Sequence, residues 1–86
     1  MEIITSRKFD KSFKKQSLKV KKEFESRIEL FIIDINDPVL RTHKLSGNLK
    51  NLWSFNVSGD IRVIFEKKRK KVIFLIDIGT HSELYS

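Results

Sequence analysis

A chain of 86 residues has room for one small domain, residues 1–86, which excludes a cofactor domain with a separate substrate domain. Lys and Arg number 18 against 11 Asp and Glu, a net charge of +7 that makes polyanions the natural partners, while 40% hydrophobic residues, seven Phe among them, supply a core and exclude a disordered chain. Cysteine is absent, so disulfides, thiolate zinc sites and thiol nucleophiles are excluded; the opening residues lack a secretory apolar stretch and no apolar run nears the roughly 20 residues of a membrane span, so a soluble cytoplasmic protein with no membrane partner is expected.

Glu2 to Thr5 reads as a short β-strand. Ser6 is a candidate cap for a helix from Arg7 to Gln16, in which Phe9 and Phe13 form an aromatic inner face and Lys8, Lys11 and Lys15 a cationic outer one. Ser17 starts a second helix. Val20, Phe24, Ile28, Phe31 and Ile35 keep helical spacing until Asn36-Asp37-Pro38 stops it. Between Pro38 and Asn51 the periodicity breaks, and His43-Lys44-Leu45-Ser46-Gly47-Asn48 reads as an ordered loop or turn.

After Asn51 the period becomes two. Trp53, Phe55 and Val57, the turn Ser58-Gly59-Asp60, then Ile61, Val63 and Phe65 describe a β-hairpin. Val72 to Ile78, apolar on both faces except at Asp77, reads as a covered strand ending at Gly79. The expected fold is therefore α+β: a short N-terminal strand, a helical hairpin and a three-stranded antiparallel meander, with the helices on one face of a curved sheet.

Positive charge is clustered. Arg7, Lys8, Lys11, Lys14, Lys15, Lys19, Lys21 and Lys22 meet only Asp10 in their stretch, and Lys67, Lys68, Arg69, Lys70 and Lys71 are expected at a hairpin tip. Both clusters suit phosphate-backbone contacts, though lysines also solubilise small proteins and blunt strand edges. His43 and His81 are the two imidazoles, each either a general acid or base or a surface residue bonding nearby backbone. Two histidines make no convincing metal site, and no nucleotide-binding glycine motif or serine elbow exists, so neither metal nor cofactor is expected. Arg62, mid-strand among apolar neighbours, either forms an internal ion pair with Asp77 or Glu66 or presents its planar fork to a phosphate. Tyr85 either packs a strand edge or offers a ring for base stacking.

Three segments carry a resemblance: His43-x-Leu45-x-Gly47-x-Leu49-Lys50, Gly59-Asp60-x-Arg62-Val63-Ile64-Phe65, and Ile78-Gly79-Thr80-His81-x-x-x-Tyr85. In this order they resemble bacterial toxins of the RelE/ParE superfamily, especially the YafQ and RelE/StbE-like branch. The resemblance implies a type II toxin that cuts messenger RNA on the ribosome without a metal, by attack of a ribose 2′-hydroxyl on the adjacent phosphorus. It implies His43 as general base, His81 as the acid that protonates the leaving oxygen, Arg62 as the group stabilising phosphate charge, Tyr85 as the aromatic orienting the scissile nucleotide, and Asp60 as an acidic site position. Lys44, beside His43, adds positive charge. Lys8, Lys11, Lys15, Lys44, Lys67, Lys68 and Arg69 are the expected RNA contacts. The implied partners are a cognate antitoxin, the ribosome with its message, and operator DNA through the antitoxin complex. Asn56 and Ser54 stand where the YafQ-like pattern has a histidine and an acid. A gyrase-poisoning toxin of ParE type and a non-catalytic nucleic-acid-binding relative are the alternatives on the same fold.

Overall fold

A computed structural model describes residues 1–46 and 51–85 of the chain, so Gly47, Asn48, Leu49 and Lys50 of the loop motif lie outside the described residues. The elements run β1 (Glu2–Thr5), α1 (Arg7–Lys14), α2 (Leu18–Ile33), a 3₁₀ turn (Pro38–Leu40), β2 (His43–Lys44), β3 (Leu52–Ser58), β4 (Ile61–Arg69), β5 (Val72–Gly79) and α3 (His81–Tyr85). The expected α+β arrangement holds, on a five-stranded sheet ordered β1-β5-β4-β3-β2. β1 pairs with β5 in parallel and every other pairing is antiparallel, so the meander gains an edge strand on each side.

The helices form where the serines cap them. The Phe9 amide donates to Ser6 Oγ at 2.8 Å and the Val20 amide to Ser17 Oγ at 3.2 Å. Phe9 and Phe13 then stack with ring centroids 5.7 Å apart and meet Phe24 of α2 at 5.6 and 5.1 Å, which closes the helical hairpin. Further along α2, Phe31 is fully buried against Phe55 and Phe65, at 4.7 and 5.0 Å. Val57, Val63, Leu75 and Ile78 complete this core on the helix-covered side of the sheet.

Three irregularities set the register, one of them at Lys68 near the end of β4 and two beside the candidate site. Asn56 pairs with Arg62 and Ser58 with Ile61, so Val57 is unpaired; Ile64 pairs with Asp77 and Phe65 with Leu75, so Ile76 is unpaired. Each freed carbonyl finds a side chain: Arg27 Nε donates to Val57 O at 3.1 Å and Ser6 Oγ to Ile76 O at 2.6 Å. The second bulge lets Leu75 and Ile78 both enter the core while Asp77 shares the opposite face with Ile64.

The basic run after Phe65 differs from the expectation of a five-residue tip. Lys67, Lys68 and Arg69 are the end of β4, and Lys70-Lys71 alone make the turn into β5. Strand alternation parts the charges: Lys67 Nζ lies 3.7 Å from the Trp53 ring centroid, whereas Lys68 Nζ lies 3.3 Å from Glu66 Oε1. No described helix is long and apolar enough to cross a membrane.

Candidate active site

The segment from α2 to β2 is built by short-range hydrogen bonds that aim His43. Asp37 caps the 3₁₀ turn by accepting from the Val39 amide at 3.0 Å, with Pro38 at the first helical position. Leu40 is fully buried, and Thr42 Oγ1 donates to Ile35 O at 2.6 Å. Arg41 between them adopts a left-handed backbone, φ 49°, an unfavourable conformation for a side chain with a Cβ. That turn presents the Arg41 carbonyl to His43 Nδ1 at 2.8 Å. A carbonyl only accepts, so Nδ1 carries the proton and, whenever the ring is neutral, Nε2 is its acceptor nitrogen. Strand β2 then pairs His43 with Ser54 of β3.

Arg62 sits two residue pairs further along the sheet and on the same face as Ser54, between Asn56 of β3 and Gly79 of β5. Neither expected internal partner holds it. Asp77 is occupied by Lys8 at 3.6 Å and by the Ile78 amide, which donates to its Oδ1 at 2.9 Å, and Glu66, four residues along the same strand from Arg62, pairs with Lys68 at 3.3 Å. The nearest acid is Asp60, whose Oδ1 lies 3.8 Å from Arg62 Nη2, and the buried Arg62 Nε has no acceptor among the described residues.

His81 opens α3, a helix beyond the elements expected from the sequence. The helix starts with a reciprocal capping box: the Glu83 amide donates to Thr80 Oγ1 at 3.2 Å and the Thr80 amide to Glu83 Oε1 at 2.8 Å. Thr80-His81-Ser82-Glu83 carries that signature openly, and it would have found the helix. Gly79 gives Glu83 its room, since a Cβ there would meet Glu83 Oε1 at 3.0 Å. One turn of helix brings the Tyr85 ring over the His81 ring, with centroids 4.6 Å apart. Asp60 reaches the same place from the β3–β4 turn, its Oδ2 accepting from the His81 amide at 3.3 Å. Asp60 thus tethers Arg62 and His81 to one carboxylate.

His43, Arg62, His81 and Tyr85 line one open cavity of about 290 Å³, together with Leu45 and Ser46. The expected RNA contacts are spread more widely. Lys8 and Lys15 border a separate cavity beside Asp77 and Glu83, Lys44 is exposed on β2, and Lys67, Lys68 and Arg69 occupy the far end of β4. Asn56 is committed to its turn, Nδ2 donating to Gly59 O at 3.0 Å, and Ser54 is buried. Among the described residues no group of three or more His, Asp or Glu side chains is placed to hold a metal ion. The cavity offers two imidazoles, a guanidinium with an unused donor and an aromatic ring, a set suited to binding a phosphodiester and moving protons around it.

Comparison with known proteins gives the arrangement its context. A family model described as bacterial toxin of type II toxin-antitoxin system, YafQ, matches residues 1–86. The metal-bound toxin from Helicobacter pylori is 30% identical, with 99% of each chain covered and a TM-score of 0.73. YafQ from Escherichia coli strain BL21(DE3) is 22% identical at a TM-score of 0.78, covering 99% of this chain and 98% of that one. The toxin in the E. coli DinJ–YafQ complex is 21% identical with the same TM-score of 0.78, over 99% of this chain and 98% of that one. No curated protein sequence matches.

Proposed function

The chain belongs to the YafQ family of type II toxin–antitoxin toxins, and from that premise we propose that it is an endoribonuclease that cuts messenger RNA on the ribosome. The observation that carries this reading is the convergence of His43, Arg62, His81 and Tyr85 on one cavity, with Arg62 Nη2 3.8 Å from Asp60 Oδ1 and its Nε without an acceptor among the described residues.

In the proposed reaction the scissile phosphate lies against Arg62. His43 Nε2 takes the proton of the ribose 2′-hydroxyl as its oxygen forms a bond to phosphorus. The bond from phosphorus to the 5′-oxygen breaks in line, and His81 gives that oxygen a proton. The products are a 2′,3′-cyclic phosphate and a 5′-hydroxyl. Arg62 stabilises charge gathering on the non-bridging oxygens, Tyr85 stacks on the scissile nucleotide, and Asp60 holds Arg62 and His81 in relative position. Acid, base and cation are all side chains of the chain itself.

Lys8, Lys11, Lys15, Lys44, Lys67, Lys68 and Arg69 would meet ribosomal RNA in the cytoplasm through phosphate contacts. An antitoxin is the expected neutralising partner, since a relative is solved as a DinJ–YafQ complex, and operator DNA would be reached through that pair. The test is primer extension on cellular transcripts after brief induction, with and without a translation block. Cuts inside reading frames that vanish under the block are expected. Intact transcripts in arrested cells would overturn the proposal and point to gyrase.

A further inference from the structure

The site continues beyond the imidazoles. A second cavity, of about 250 Å³, is lined by His43 and Arg62 and also by Arg41, Asn56 and Gly59. A third, of about 680 Å³, shares Arg41, Asn56 and Gly59 and adds Arg27. The shared walls make one trough that runs from the His81–Tyr85 end, past Arg62 and His43, to Arg41 and then Arg27. Among the described residues no carboxylate lines its second or third part. Arg27 and Arg41 form no ion pair among the described residues. Arg27 spends only Nε on Val57 O, which fixes the side chain and leaves its terminal nitrogens for a ligand. Arg41 is fixed differently: its carbonyl holds His43 Nδ1, so its backbone and the imidazole move as one unit. One anchored guanidinium, Arg27, and a second on the anchored backbone of Arg41 make the trough a track for successive phosphates.

The track has a direction. Attacking and leaving oxygens lie on opposite sides of the phosphorus in an in-line displacement, so base and acid must flank it. The chain on the base's side is the one that bears the attacking 2′-hydroxyl, the 5′ part of the message. His43, its Nδ1 proton given to the Arg41 carbonyl, has only Nε2 to act as base. We propose that the trough from His43 over Arg41 to Arg27 binds the message 5′ of the cut, with Arg41 on the first upstream phosphate and Arg27 on the next. This assignment rests on the nuclease reading above and adds strand polarity to it.

The test uses the full chain and ribosomes programmed with messages carrying one neutral methylphosphonate, placed either at the first phosphate 5′ of the scissile one or at the first 3′ of it. Single-turnover cleavage is compared for the wild type and Arg41→Gln, a variant that keeps the backbone carbonyl on His43. The upstream substitution should slow the wild type about tenfold, as loss of one charge-assisted contact does. Arg41→Gln should slow the unmodified message by a similar factor, and the two changes together should be no worse than either. The downstream substitution should multiply with Arg41→Gln. Arg27→Gln should show the same coupling with the second upstream phosphate. Coupling of Arg41 to the downstream phosphate, or effects that multiply at both positions, would overturn the polarity while leaving the nuclease intact. A wild type that never cuts the unmodified message would remove both.

Discussion

Asp60 offers the sharpest separation between positioning and chemistry. Its carboxylate spans 3.8 Å to Arg62 Nη2 and 3.3 Å to the His81 amide, joining the β3–β4 turn, the middle of the sheet and the start of α3. The Asp60 side chain is 58% exposed and that of Arg62 26%, so solvent screens the pair and its worth to folding is at most about 1 kcal/mol. Asp60→Asn should therefore lower stability by less than about 1 kcal/mol in urea denaturation. Activity should suffer more. Losing the common tether lets a guanidinium and an imidazole drift relative to one phosphate, and misplacement near 1 Å costs about a hundredfold in rate. Single-turnover cleavage on programmed ribosomes should fall ten- to a hundredfold by that estimate, with the pH profile lowered throughout and unchanged in shape. A profile that loses one limb in Asp60→Asn would mean that the carboxyl itself transfers a proton. Full activity would refute the tether.

Other substitutions probe the supports of the same site. Leu40→Ala empties a fully buried position under the 3₁₀ turn that aims His43, and should cost about 2–5 kcal/mol by denaturant midpoint. Thr80→Ala removes half of the capping box and about 1 kcal/mol of local stability; faster hydrogen exchange at the Leu84 amide, which donates to Thr80 O at 3.0 Å, should report it. Arg62→Lys keeps the charge but loses the planar fork, so cleavage should drop about a hundredfold with the fold intact by circular dichroism. Lys67→Ala strips an ammonium from the face of Trp53 and should shift tryptophan emission while costing about 0.5–1 kcal/mol.

The parts of the fold legible in the sequence are those governed by local periodicity. Ser6 and Ser17 mark their helices because a hydroxyl there meets an orphan amide, and the Phe spacing of α1 and α2 mirrors the face that packs. The hairpins follow from period-two alternation. What stayed hidden depends on tertiary partners. The bulge at Ile76 has no composition signal, since its carbonyl is satisfied by Ser6, 70 residues away in sequence, and it is this bulge that settles where Asp77 faces. Strand β2 is two polar residues long and has no period to read. The 3₁₀ turn and α3 were readable from Asp37-Pro38 and Thr80-x-x-Glu83, but both are shorter than a helical-period window. The candidate site divides the same way: residue type and motif order single out His43, Arg62, His81 and Tyr85, which line one cavity, whereas the tether through Asp60, the carbonyl on His43 and the arginine trough exist only once the chain is folded.

In the proposed reaction two imidazoles and a guanidinium drive attack by the ribose itself. The most direct test is the end chemistry of messages cut on purified ribosomes by the wild type, His43→Gln and His81→Ala. The wild type should leave 2′,3′-cyclic phosphates and 5′-hydroxyls, and each histidine variant should cut at least about a hundredfold more slowly while unfolding at the same temperature. Fragments bearing 5′-phosphates, the signature of attack by water, or undiminished cutting by either folded variant, would contradict it.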